Sequence, residues 1–100
     1  VNRVSEYLVE VYRPRPVDAS LPIPTPPDLL LATEKLANDG FPIRLLCSIF
    51  VPEEEICFHL FEAESREVVE EAGTLSGLEF ESVVEAVWEC RGMKSDSLDP

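Results

Sequence analysis

Positive charge is scarce in this chain of 100 residues: 8 Lys and Arg stand against 20 Asp and Glu, a formal net charge of −12. Binding to nucleic acid or to an anionic bilayer needs clustered bases that displace counterions from phosphates, so neither is an expected partner. The deficit is uneven, with 6 acids and 5 bases in residues 1–50 but 14 and 3 in residues 51–100. Cysteine is sparse too. Cys47, Cys57 and Cys90 lie too far apart for a Cys-x-x-Cys site, and an odd number fits reduced thiols better than a disulfide framework. The chain has one histidine, no Gly-rich phosphate loop, no His-Glu-x-x-His and no serine nucleophile motif. Its apolar runs are strand-sized, far short of the roughly 20 residues that cross a bilayer, and no basic segment followed by an apolar stretch opens it. A soluble, cytoplasmic protein is expected.

Apolar side chains make up 45% of the residues and are spread along the chain, enough for one core at this length and too few for two. Residues 1–92 read as a single domain and 93–100 as a frayed polar tail. Glu6 to Arg13, rich in β-branched and aromatic residues, predicts a first strand closed by Pro14 and Pro16. Six prolines between Pro14 and Pro27 predict a stiff extended connection. Thr25-Pro26-Pro27-Asp28 reads as a helix start with Thr25 as N-cap, and apolar residues at three- and four-residue spacing carry that helix to a stop at Gly40.

Residues 42–51 and 56–62 predict two strands joined by Pro52-Glu53-Glu54-Glu55, a hairpin that pairs Val51 with Ile56, Ile49 with Phe58 and Cys47 with Leu60. Ser65 is positioned to cap a second helix that runs to about Ala72 and ends at Gly73, with Leu75 to Leu78 as loop. Phe80 to Trp88 predicts the last strand. Two right-handed βαβ halves in this order give an α+β, ferredoxin-like βαββαβ sandwich: an antiparallel sheet of strand order 4-1-3-2 with both helices on one face.

Strand alternation then separates two faces. Tyr7, Val9 and Val11 are expected beside Ile56, Phe58 and Leu60 under the helices. The open face is expected to carry Leu8, Glu10 and Tyr12; Arg44, Leu46, Ser48 and Phe50; Cys57, His59 and Phe61; and Val83, Glu85 and Val87. So apolar an open face predicts cover by a second copy, with a small-ligand pocket lined by Arg44, Leu46, Ser48, Phe50, Cys57, Phe61 and Glu85. His59 is the one side chain with an ordinary pKa near neutrality, and a nearby carboxylate such as Glu10 would hold its ring for acid/base work while Tyr12 positioned a substrate. Cys57 and His59, two apart on one strand, have spacing a soft transition metal could use, but two donors are not a site and no resident cofactor is expected. The acidic run Glu53 to Glu55 reads as a solvated turn.

Ser48-Ile49-Phe50-Val51-Pro52, the acidic turn, and Cys57-Phe58-His59-Leu60-Phe61-Glu62-Ala63 followed by Ser65 resemble a group of small bacterial proteins of unknown function, frequent in actinobacteria, that includes a nickel-responsive protein. Tyr7-Leu8-Val9-Glu10, Ala72-Gly73 and Val83-Val84-Glu85-Ala86 match as well, so the resemblance spans about residues 6–88. It implies a ferredoxin-like domain of the dimeric α/β-barrel kind, and metal binding in at least one relative. Two positions depart from the metal pattern. Tyr12 follows Val11 where the nickel-responsive member is expected to have histidine, and Val69-Glu70-Glu71 stand in place of a histidine on the second helix. Thr74 to Leu78 reads as a small insertion against that group.

Three functions follow as expectations. The first is a homodimer holding a small ligand at its open sheet face. The second is a cofactor-independent isomerase, cyclase or monooxygenase-like enzyme using His59, with Glu10 and Tyr12 beside it. The third is a protein that binds nickel or another transition metal.

Overall fold

The structure, a computed structural model, describes residues 4–17, 24–89 and 91. The tail 93–100 and Cys90 lie outside the described residues. Six elements follow in the expected order: β1 (Ser5–Tyr12), α1 (Pro27–Asn38), β2 (Ile43–Val51), β3 (Ile56–Ala63), α2 (Arg66–Ser76) and β4 (Ser82–Ala86). The strands form one antiparallel sheet in the order β2-β3-β1-β4, which is 4-1-3-2 read from the other edge. This is the ferredoxin-like βαββαβ arrangement.

Both helices pack on one side of the sheet. α1 buries Leu29, Ala32, Thr33 and Leu36, the 3- and 4-residue spacing of a single helix face, and α2 buries Val68, Val69, Ala72 and Gly73. They meet a core of Tyr7, Val9, Val11, Ile43, Phe61, Ala63 and Val83 from the strands.

The helix ends differ from their sequence reading in instructive ways. α1 begins one residue later than expected, with Pro27 at its first turn and Pro26 in the N-cap position, and no side chain caps it. Thr25 is instead turned toward the sheet. At the other end Gly40 takes a φ of 96°, and the N–H groups of Gly40 and Phe41 close back on Ala37 and Leu36. α2 starts where expected, with Ser65 Oγ accepting from Val68 N, but runs past Gly73 to Ser76. Gly73 is there because the Phe80 ring lies against it: a Cβ at this position would sit 2.9 Å from that ring. The true stop is Gly77, left-handed at φ 79°. Thr74 to Ser76 are therefore helix, where Leu75 and Ser76 were expected in a loop.

The hairpin register is as read: Val51 pairs with Ile56, Ile49 with Phe58 and Cys47 with Leu60. The faces are not. β1 aligns Val9 with His59 and Val11 with Cys57, which puts Cys57, His59 and Phe61 under the helices and turns Ile56, Phe58 and Leu60 to the open face. β2 changes face midway, because a bulge between Leu45 and Cys47 inserts Leu46 as an extra residue. Ile43 and Leu45 face the core before the bulge, and Ser48 and Phe50 are on the core side after it. In β4 it is Val83 that is buried and Val84 that is exposed.

Candidate functional site

β1, β2 and β3 bring an unusual set of side chains to the covered side of the sheet. Ser48 and His59 are direct cross-strand partners, as are Phe50 and Cys57. Directly opposed residues on one face sit close enough for their side chains to touch. Arg13 follows Val11 by two residues and lies beside Phe50, its guanidinium carbon 4.9 Å from the ring centroid. Residues 24–25, at the end of the proline-rich connection, close over this group. Ser48, Cys57, His59, Arg13 and Thr25 thus form a polar cluster at the hairpin end of the sheet, beside an otherwise apolar core.

The hydrogen bonds are short and continuous. Thr25 Oγ1 donates to Ser48 Oγ at 2.7 Å, and Ser48 Oγ lies 2.7 Å from His59 Nδ1. The Pro24 carbonyl accepts from Arg13 Nη1 at 3.1 Å and from Cys57 Sγ at 3.4 Å. His59 and Cys57 are each only 1% exposed.

Burial, reinforced by the nearby Arg13 charge, pulls the His59 pKa down to about 4. Burial pushes the Cys57 thiol up, a rise that Arg13 opposes. Both groups are therefore neutral near pH 7, and His59 is a hydrogen-bonding group with almost no proton to give there. Cys57, protonated and covered, is a poor nucleophile.

The residues expected to share the open face are divided. Ser48, Phe50, Cys57, His59 and Phe61 are on the helix side, and Phe61 is fully buried in the core. Glu10, opposite Phe58 and Ser82, is on the other side of the sheet from His59, so it cannot orient the imidazole. Tyr12 is exposed, its hydroxyl 3.4 Å from Glu55 Oε1. Arg44 pairs with Glu62 at 3.2 Å, Leu46 is the bulge residue, and Glu85 is exposed on the edge strand. Neither Arg44 nor Glu85 belongs with His59.

Two members of the cluster are not among the expected site residues. Arg13 closes the expected strand from Glu6 to Arg13 and is the next residue on its Val9–Val11 face. Thr25 was read as a helix cap, and only the fold brings it to Ser48. Glu55 also does more than fill a solvated turn. It is left-handed at φ 57°, its carbonyl accepts from Arg13 N, and its carboxylate accepts from Arg15 N at 2.9 Å. It thereby ties the exit of β1 to the hairpin and fixes where Arg13 stands.

Among the described residues the donors do not gather as a metal site would need. Cys57 and His59 share a strand face, but among the described residues no three His, Cys, Asp or Glu side chains gather, and His59 Nδ1 is already occupied by Ser48. The open face has a different membership from that expected: Leu8, Phe58 and a buried Leu60 at its centre, Cys47, Ile49 and Val84 around them, with Glu6, Glu10, Arg44 and Glu62 on the same side. Ile49 is 56% exposed. Among the described residues no helix is long and apolar enough to cross a membrane. Comparison with family models, with curated proteins and with solved structures gives no match.

Proposed function

We propose that this chain is a small-ligand-binding protein that works as a homodimer of the dimeric α/β-barrel kind. The ligand is held on the helix side of the sheet, under the end of the proline-rich connection, by Ser48, Cys57, His59 and Arg13. The observation that carries this reading is the Thr25–Ser48–His59 hydrogen-bond chain, buried where apolar side chains would serve the fold at lower cost. Arg13 supplies one cation and a stacked guanidinium, which suits a ligand with an acceptor or a partial negative charge. The strand and turn resemblance over residues 6–88 supports the same architecture.

The second copy occupies the open face. Leu8, Cys47, Ile49, Phe58 and Val84 surround a buried Leu60 and make an apolar patch across all four strands. Two such faces packed together bury it and leave the His59 side of each subunit facing away from the interface.

Native mass spectrometry of protein purified without chelator tests both halves. The expected result is a dimer with a discrete retained mass that His59→Asn and Ser48→Ala each remove while the dimer persists. A stable monomer at micromolar concentration would overturn the assembly. A retained mass untouched by both substitutions would overturn the site.

A further inference from the structure

The helix layer carries a second surface whose chemistry is unlike that of the His59 cluster. Where the end of α1 meets α2, a groove of about 410 Å³ opens to solvent. Its floor is Leu36 and Val68, both buried, and its apolar walls are Phe41 and Leu75, 48% and 42% exposed. Phe41 stands there because Gly40 turns the chain back over Leu36, the hydrophobic contact usual at such a helix end. The turn leaves half of the ring uncovered.

Charge on the rim is mostly acidic, three carboxylates to one base. Glu67 and Glu71 are one turn apart on α2, and neither makes an ion pair among the described residues. Across the groove Asp39 is shared with Lys35 at 3.6 Å, the only base on the rim. An apolar trough flanked by two free carboxylates at i, i+4 spacing is the complement of an amphipathic helix with apolar anchors and with Lys or Arg one turn apart.

We infer that the α1–α2 groove is a docking site for a basic amphipathic helix of a partner protein, its apolar face on Phe41 and Leu75 and its bases on Glu67 and Glu71. The net charge of −12 steers such a partner toward the protein and repels acidic competitors. The groove is on the helix side, so pairing of open sheet faces leaves it accessible. It stands independently of the ligand reading at His59.

The test uses the full chain and a designed Leu/Lys helical peptide, followed by fluorescence anisotropy and by amide chemical shifts. Saturable binding is expected, weakened by salt, with shifts centred on Phe41, Val68 and Leu75. E67Q/E71Q should weaken it about tenfold, whereas E53Q/E54Q, the same change in net charge at the hairpin tip, should change it by less than about twofold. Leu75→Ser should also weaken binding. Equal loss in the two charge pairs would mean attraction to bulk charge only and would overturn the inference. So would binding indifferent to Leu75→Ser, or shifts centred on the open sheet face.

Discussion

Ser48 and His59 face each other across β2 and β3 and share a 2.7 Å hydrogen bond between Oγ and Nδ1. Thr25 donates its hydroxyl proton to Ser48, and the Ser48–His59 bond joins the imidazole to that chain, its direction set by the ring's tautomer. Protonating the ring is disfavoured there by burial and by the Arg13 charge.

That arrangement makes stability depend on pH in a definite direction. The unfolded imidazole takes up a proton near its ordinary 6.5, while the native one resists until about 4. Between these values the unfolded state binds more protons, so stability is full above about 6.5 and is lost as pH falls toward about 4. The loss amounts to roughly 3 kcal/mol at most. Denaturant melts at a series of pH values should show this slope in the wild type and a shallower one in His59→Asn, whose amide does not titrate. A native His59 pKa near 6.5 by NMR would contradict the burial argument.

Ser48 serves two partners, so its removal should cost more than that of either end of the chain. Ser48→Ala leaves His59 Nδ1 without its partner and Thr25 without its acceptor, and should destabilise by about 1–3 kcal/mol. Thr25→Val should cost nearer 1 kcal/mol. In the double variant the two losses should not add, with a coupling of at least about 0.5 kcal/mol. Strict additivity in a denaturant double-mutant cycle would show that the three groups do not act as one chain.

The architecture was legible because each element carries its own local signal. The four-residue link from Pro52 to Glu55 fixes the hairpin register, and Ser65 marks the start of α2. The faces were not legible, and β3 shows why. Ile56, Phe58 and Leu60 alternate with Cys57, His59 and Phe61, so both sets look apolar, and the greasier set is the one turned outward. Parity along β2 was further hidden by the bulge at Leu46, since one extra residue reverses the facing of everything beyond it. The pairing of His59 with Ser48 follows from register alone and was available. Its pairing with Glu10 failed because Val9, not Glu10, stands opposite His59.

Gly73 and Phe80 offer a test of packing against propensity. Gly73→Ala would gain up to about 1 kcal/mol of helix propensity at a helix-interior position. The added methyl, however, meets Phe80 Cδ2 and Cε2 at 2.9 Å in a ring packed on the core. The net effect should be destabilisation of about 1–2 kcal/mol. In a Phe80→Leu background the same Gly73→Ala change should become neutral or stabilising. If Gly73→Ala stabilises the wild type, the ring moves aside freely and the glycine is not there to admit it.

The two described free thiols should report on the two faces of the sheet. Cys57 is buried and its pKa is raised, so it should resist iodoacetamide in the native protein. Cys47 is exposed on the open face opposite Leu60, within the apolar surface proposed to meet a second copy. As a monomer it should alkylate at the rate of an ordinary surface thiol. If the open faces pair, its rate should fall as protein concentration rises through the dimer dissociation constant, followed residue by residue by peptide mass spectrometry. Ile49→Lys places a charge on the same face, two residues along β2, where an unpaired buried ammonium costs several kcal/mol. That variant should stay monomeric and alkylate at Cys47 at one rate at every concentration, with Cys57 still protected. Concentration-independent Cys47 labelling in the wild type would leave the open face uncovered and remove the homodimer. Fast Cys57 labelling would instead show that the cover over Ser48 and His59 opens readily.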